Sequence, residues 1–323
     1  MSRAGTLTLP DGRPLPPALA PAECHRFGGR AGLMTAYVGA PAGAAARATP
    51  LLLVHSVNAA ASAAEVRPLF EHARARRPVW APDLPGYGLS DRGDRPYTPR
   101  LMTDAVHETV AQMQARHGKR PVHALAVSLG CEFLARAAVE APRAFASVSL
   151  VSPTGFEGLR LRRGPAGRNR GIPWLYAALK GPGWGGPLFR GLTRPGVIRY
   201  FLERTFGSKR IDEAMWAYDV LTTRVDGAEH APLSFLSAQL FAQDSGSLYD
   251  ALSMPVWMTH GVRGDFTDYR AKTEVEGRPN WRIDVMPTGA MPYFEEKLEF
   301  NAKFDAFLAE AERGLARPST AAA

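Results

Sequence analysis

Apolar runs and helical periods alternate along most of this chain. Leu51-Leu52-Leu53-Val54 is an unbroken apolar run closed by His55, the pattern of a strand covered on both faces. After it the pattern predicts a helix near Ala63–Ala75, a strand Val79–Ala81, a helix Leu101–His117, a strand Val122–Val127, a helix from Leu129 to about Glu140 and a strand Ser147–Val151. Two short strands precede them, His25–Phe27 and Leu33–Val38, with the glycine-rich turn Gly28-Gly29-Arg30-Ala31-Gly32 between them. Beyond Ser152-Pro153-Thr154-Gly155 the rhythm breaks. Helical patterns at Pro173–Lys180, Pro195–Thr205, Ile211–Thr223 and Ala231–Gln243 follow with no strong strand among them. Alternation resumes with a strand Pro255–Thr259, a helix around Tyr269–Glu274, a strand Arg282–Val285 and a terminal helix Phe294–Leu315. Strand and helix in alternation build a doubly wound, mostly parallel α/β sheet. The expected organisation is an extended arm over 1–22, a core from 23–154 and 251–316, a helical cap inserted at 155–250, and a disordered tail at 317–323.

Candidate chemistry enters at the strand Val122–Val127, which passes into an alanine-rich helix through Ala126-Val127-Ser128-Leu129-Gly130 with no loop between. A strand-to-helix turn of small-x-Ser-x-Gly form lifts a serine clear of the sheet and aims the first helical amides at it. The usual first residue is glycine, and alanine is the smallest departure. Cys131 follows at once, but a cysteine one turn into this helix is expected to pack on the sheet.

These residues resemble the α/β-hydrolase superfamily, in its capped branch of small-molecule hydrolases, over about 25–315. The strand ending in His55-Ser56-Val57-Asn58 is similar to the family's oxyanion-hole strand, Asp83-Leu84-Pro85-Gly86-Tyr87-Gly88-Leu89-Ser90 to its strand-end turn, and Thr259-His260-Gly261 to the strand before its catalytic acid. The resemblance implies Ser128 as nucleophile, an oxyanion hole from the amides of Leu129 and Val57 or Ser56, and Asp265 as acid, with Asp268 and Glu157 as fallbacks. It implies a mostly structural role for His55. Asp265 also suits a plain helix cap.

The family's histidine belongs in Gly-His-x-Pro-x-x-Glu. Here the segment reads Gly289-Ala290-Met291-Pro292-Tyr293-Phe294-Glu295, so Ala290 occupies the base position. A serine without a neighbouring base has no evident route for losing its proton. Three readings stay open. A histidine has been replaced by alanine; or another group serves, His260 before His230 or Tyr293; or the chain has left serine hydrolysis for ligand binding or a lyase, cyclase or isomerase step. The implied activity is hydrolysis of an ester or C–C bond in a hydrophobic small molecule, with the non-hydrolytic protein as its alternative.

Composition narrows the partners. A chain of 323 residues, 46% of them hydrophobic, buries a full core. Two cysteines far apart give neither a disulfide framework nor a metal spacing, and no cofactor or metal is expected. No run of about 18 apolar residues occurs and no signal-peptide core leads the chain, so a soluble cytoplasmic protein without membrane insertion is expected. The net charge of +8 is uneven: twelve Lys/Arg against Glu203 alone over 160–210 leave the rest of the chain at −3. A basic insertion suits an anionic substrate, an anionic surface or a solvated lid. No nucleic-acid motif accompanies it, and a monomer or homodimer is expected.

Overall fold

A computed structural model of the chain describes residues 6–181 and 183–316. Eight strands form one sheet: β1 (Glu23–Gly29), β2 (Gly32–Gly39), β3 (Leu51–Val54), β4 (Val79–Pro82), β5 (Val122–Val127), β6 (Phe145–Val151), β7 (Val256–His260) and β8 (Trp281–Val285). Their order is β1-β2-β4-β3-β5-β6-β7-β8. The pairings β1/β2 and β2/β4 are antiparallel and the remaining five parallel. From β3 the chain winds one way to β4 and returns to pair β5 on the other side of β3. The carboxyl ends of β3 and β5 therefore flank a topological switch point, where open α/β sheets hold ligands.

Helices α1 (Arg67–Ala73), α2 (Pro99–His117) and α3 (Gly130–Glu140) connect the first strands. The unbroken apolar run of β3 is explained by its two covered faces. Leu52 and Val54 join one core with Met102, Val106 and Val110 of α2 and Phe133 and Leu134 of α3. Leu51 and Leu53 join the opposite core with Leu69 and Phe70 of α1 and with Phe300, Phe304 and Phe307 from the C-terminal helix. One-residue alternation between the two cores is what period-two side-chain geometry requires of a central strand.

Between β6 and β7 lie α4 (Pro173–Lys180), α5 (Gly185–Leu192), α6 (Pro195–Phe206), α7 (Glu213–Thr222), α8 (His230–Leu236) and α9 (Ser245–Asp250). Three short stretches differ from expectation here, among them α9, which no helical pattern anticipated. The expected helix Ala231–Gln243 ends at Leu236, because the Ser237 hydroxyl bonds back to the Leu233 and Ser234 carbonyls and Ala238 turns left-handed at φ 60°. Helix α5 was not expected from its glycines; it is held by burial of Phe189, which packs with Leu9, Leu15, Val225 and Ala228. The same contacts tie the N-terminal arm down, and the Tyr218 hydroxyl donates to Pro16 O at 2.9 Å. Leu9, Leu15 and Pro16 of the arm contact the insertion, while Leu19 packs into the sheet core beside Tyr37 of β2. The segment near Tyr269 forms a 3₁₀ turn, Arg270–Glu274. The terminal helix begins as a single turn, α10 (Pro292–Glu295), breaks at Glu296 (φ −110°, ψ 56°), and continues as α11 (Lys297–Ala316). The expected tail 317–323 lies outside the described residues.

Candidate active site

Ser128 sits at the end of β5 with φ 52°, a left-handed conformation that a serine adopts at a cost of order 1–3 kcal/mol. Its amide donates to Val151 O of β6 at 2.9 Å, and α3 begins two residues on. The turn is possible because Gly130 carries no side chain: a Cβ there would stand 2.5 Å from His55 O at the end of β3. Ala126, where glycine is usual, lies fully buried inside β5 and pairs with Leu150 and Val54 without distortion.

A cavity of about 250 Å³ opens at this point. Ser56, Val57, Ser128, Leu129, Asp265 and Ala290, all anticipated from the sequence, line it together with Glu157 and Asp268. Leu202, Phe235, Phe241 and Phe266 supply apolar walls, and Thr205, Ser152 and Tyr269 complete the polar side. A larger, polar cavity of about 420 Å³ near Arg210 and Arg263 includes neither Ser128 nor Ala290.

Among the described residues, the amides of Val57 and Leu129 have no backbone acceptor. Both residues line the cavity. The Ser56 amide is taken: it donates to Glu65 Oε2 at 2.8 Å, and the Ser56 hydroxyl donates to Glu65 Oε1 at 2.9 Å. The alternative assignment of Ser56 to an oxyanion hole is thereby corrected. Glu65, buried and absent from the sequence reading, also accepts from Asn58 Nδ2 at 2.7 Å. It pins the 56–58 loop so that Val57 is the residue with a free amide. Its only signal was Ser62-Ala63-Ala64-Glu65, the spacing of a capping box. Ser62 does accept from the Ala64 amide at 3.2 Å, but Glu65 turns to Ser56 instead of closing the box. Glu65→Ala would leave buried donors of Ser56 and Asn58 unpaired and is expected to cost about 2–5 kcal/mol in chemical denaturation. Glu65→Gln, which keeps an acceptor, should cost clearly less, and equal losses would refute the hydrogen-bond account.

Among the described residues, no histidine lines the Ser128 cavity. His25 bonds to Gln112, His72 to Asp305, His107 to Glu140, His117 to Trp80, and His123 to Ser147 and Glu312. His55 accepts from the Leu84 amide at Nε2 (2.9 Å), which leaves Nδ1–H to donate to Ser56 O (2.6 Å), the structural role expected of it. His230 lies 3.9 Å from Asp94 and outside the cavity lining. His260, the foremost substitute base, is corrected too: its Nδ1 pairs with Gly261 O at 2.9 Å, its Nε2 lies 3.1 Å from Lys272 Nζ, and its ring stacks on Tyr269. Burial pushes its pKa down, and it does not line the cavity. Tyr293 is fully buried away from the lining. Cys131 is buried with Sγ 3.2 Å from Ala126 O, and desolvation drives its thiol pKa well up, so it is no nucleophile.

The acids are engaged as well. Asp265 is ion-paired with Arg204 of α6. Asp268 is paired with Arg270 and accepts from the Gly158 amide, and the Arg270 guanidinium holds its carboxyl well below the usual range. Glu157 accepts from the Gly155 amide at 3.1 Å. The loop bearing Ala290 is clamped under α6, with the Ala290 amide on Thr205 O at 2.8 Å and Ala290 O accepting from the Ser152 hydroxyl at 2.7 Å.

A family model of the alpha/beta hydrolase fold matches residues 49–189. Solved structures align over nearly the whole chain. A probable hydrolytic enzyme from Pseudomonas aeruginosa PAO1 is 17% identical, with 95% of this chain and 99% of that one covered at a TM-score of 0.69. The fold is that of the α/β hydrolases. The 2-hydroxy-6-oxo-6-phenylhexa-2,4-dienoate hydrolase of Rhodococcus sp. strain RHA1 is 18% identical over 89% of this chain and 99% of its own, at a TM-score of 0.66. A thermophilic esterase from Thermogutta terrifontis is 16% identical over 90% and 99%, at 0.64. No curated protein sequence matches the chain. On an α/β-hydrolase sheet, Ser128 ends the strand and starts the turn where such proteins carry their elbow.

Proposed function

We propose that the Ser128 cavity binds a small, largely apolar molecule through an acyl or carboxyl oxygen, and that Ser128 is not part of a histidine-driven triad. The observation that carries this reading is the engagement of all eight histidines elsewhere, while Ala290 lines the cavity beside Ser128. In this reading the amides of Val57 and Leu129 hold the ligand oxygen, Leu202, Phe235 and Phe241 take its apolar body, and residues 155–250 act as the cap over it. Each preorganised donor is worth about 3 kcal/mol to a developing oxyanion, but it does not remove the serine proton. Binding, or a lyase or cyclase step on the bound molecule, is the function left to such a site.

A second reading, serine hydrolysis of an ester or C–C bond, is favoured by the strained φ of Ser128, which marks a position kept for use. Intact-protein mass after treatment with an alkyl phosphonate separates the two, run beside calorimetric titration with a medium-chain carboxylate. Carboxylate binding, abolished by a bulky Val57 or Leu129 replacement, together with slow labelling is the expected result. Stoichiometric labelling of Ser128 within minutes would overturn the proposal and establish an activated serine.

A further inference from the structure

The insertion carries an apolar surface left exposed among the described residues. On α4, Trp174, Ala177 and Ala178 are exposed at helical spacing, and around α5 Trp184, Pro187 and Leu188 repeat it. Trp174 and Trp184 are 73% and 76% exposed, an unusual state for the largest apolar side chain. Neighbouring α6 adds Tyr200 and Phe201, each 51% exposed. Neither α4 nor α5 contains an acid, and each holds one cation, near its C-terminal end. The rim is cationic: Arg168, Arg190 and Arg194 are exposed and, among the described residues, have no carboxylate within ion-pair distance, as do Arg160, Arg162 and Arg210 farther along the insertion.

We infer that the face formed by α4, α5 and the exposed side of α6 docks on an anionic lipid surface. Exposed indoles beside short apolar helix faces, flanked by unpaired arginines, are what a headgroup boundary accepts: the rings enter the interface while the guanidinium groups pair with phosphates. A second copy of the chain is disfavoured by the same charges, since joining two such faces would set arginine rims against each other. No described helix is long and apolar enough to cross a membrane, so the contact is adsorption. Helix α6 spans both settings, with Tyr200 and Phe201 outside and Leu202 and Thr205 on the cavity. A docked face therefore places the cavity next to the lipid boundary, in keeping with the apolar ligand proposed above, although the docking itself does not depend on that ligand.

Flotation of the whole chain with phosphatidylcholine vesicles, with and without phosphatidylglycerol, tests this without reference to Ser128. Binding is expected only to the anionic vesicles and should weaken with added salt. Trp174→Ala with Trp184→Ala should reduce it at least ~10-fold, with the thermal melt unchanged because both rings stand in solvent. Arg168→Gln with Arg190→Gln and Arg194→Gln should independently flatten the salt dependence. No binding to either vesicle, equal binding to both, or binding that survives both sets of substitutions would overturn the proposal. So would a concentration-dependent dimer in the absence of lipid that the tryptophan substitutions abolish, since the occupant would then be a second copy.

Discussion

Ala290→His is expected to raise turnover of an activated p-nitrophenyl ester by about 10²- to 10³-fold over the unmodified chain. The unmodified chain should run about 10³-fold or more below an intact triad, because donors and binding alone remain when a triad member is missing. Position 290 and Ser128 line one cavity, so an imidazole at 290 enters the space the serine faces. The acid proposed to orient it is Asp265, whose carboxylate is already paired with Arg204. That competition is decided by magnitude. The two side chains are 37% and 47% exposed, and exposed ion pairs are worth no more than about 1 kcal/mol. A buried imidazolium can therefore take Asp265 at a cost of roughly fivefold in rate. Adding Arg204→Gln should recover at most that factor. The gained activity should rise with pH near 6.5 as the imidazole loses its proton. A folded variant with the imidazole within reach of both Ser128 and Asp265, yet no gain, would confine the cavity to non-hydrolytic use. Rapid hydrolysis by the unmodified chain would show that a group other than a histidine at position 290 activates Ser128.

What the sequence discloses about this site follows from how strongly each feature is constrained by local chemistry. The Ser128 turn was legible because a strand passing straight into a helix through small residues admits few backbone solutions, and Gly130 against His55 O is one of them. Ala290 is singled out by the resemblance alone, through the register of Gly289, Pro292 and Glu295, and the structure places it in the lining of the Ser128 cavity. Glu65 was not legible, since its partners Ser56 and Asn58 lie across a turn and its spacing from Ser62 suggested a different hydrogen bond. Ser56 and Val57 are indistinguishable in sequence, and only the direction of the Glu65 carboxylate divides them. His260 looked available because strand ends near an acid loop often hold a base; its two ring nitrogens are occupied by Gly261 and Lys272, which only packing decides. The false extension of α8 has a local cause, the backward hydrogen bonds of Ser237, in a stretch whose apolar period continues past the break.

Glu132 is expected to make the fold less stable as pH rises from about 4.5 to 7. This residue lies two positions beyond Gly130 in α3, fully enclosed, accepting from the Thr154 hydroxyl at 2.6 Å and from the Ala242 amide at 2.8 Å. It joins the helix behind the elbow both to the cavity wall at Thr154 and to the insertion at Ala242. Burial raises its pKa from 4.5 to about 7, outweighing the two hydrogen bonds and Arg170, which lower it, while Glu157 adds to the rise. A carboxyl raised in the folded chain keeps its proton where the unfolded chain has lost it. Its stabilising effect is therefore complete below pH 4.5 and gone above pH 7. The gap of 2.5 units corresponds to roughly 3 kcal/mol. Other buried and paired groups contribute slopes of their own, with either sign. Glu312, held down to about 2 by His123 and Arg77, loses its contribution only below pH 4.5. His123 and His260, lowered by burial, add stability as pH rises through the upper part of the window. Asp219, raised by burial, adds a slope of the same sign as Glu132. The difference between the unmodified chain and Glu132→Gln isolates the one carboxyl. Urea denaturation at pH 5 and pH 8 should show the unmodified chain losing about 2–3 kcal/mol more than the glutamine variant across that interval. Parallel pH dependence in the two proteins would mean that Glu132 is ionised in the fold throughout, and that its two hydrogen bonds outweigh its burial.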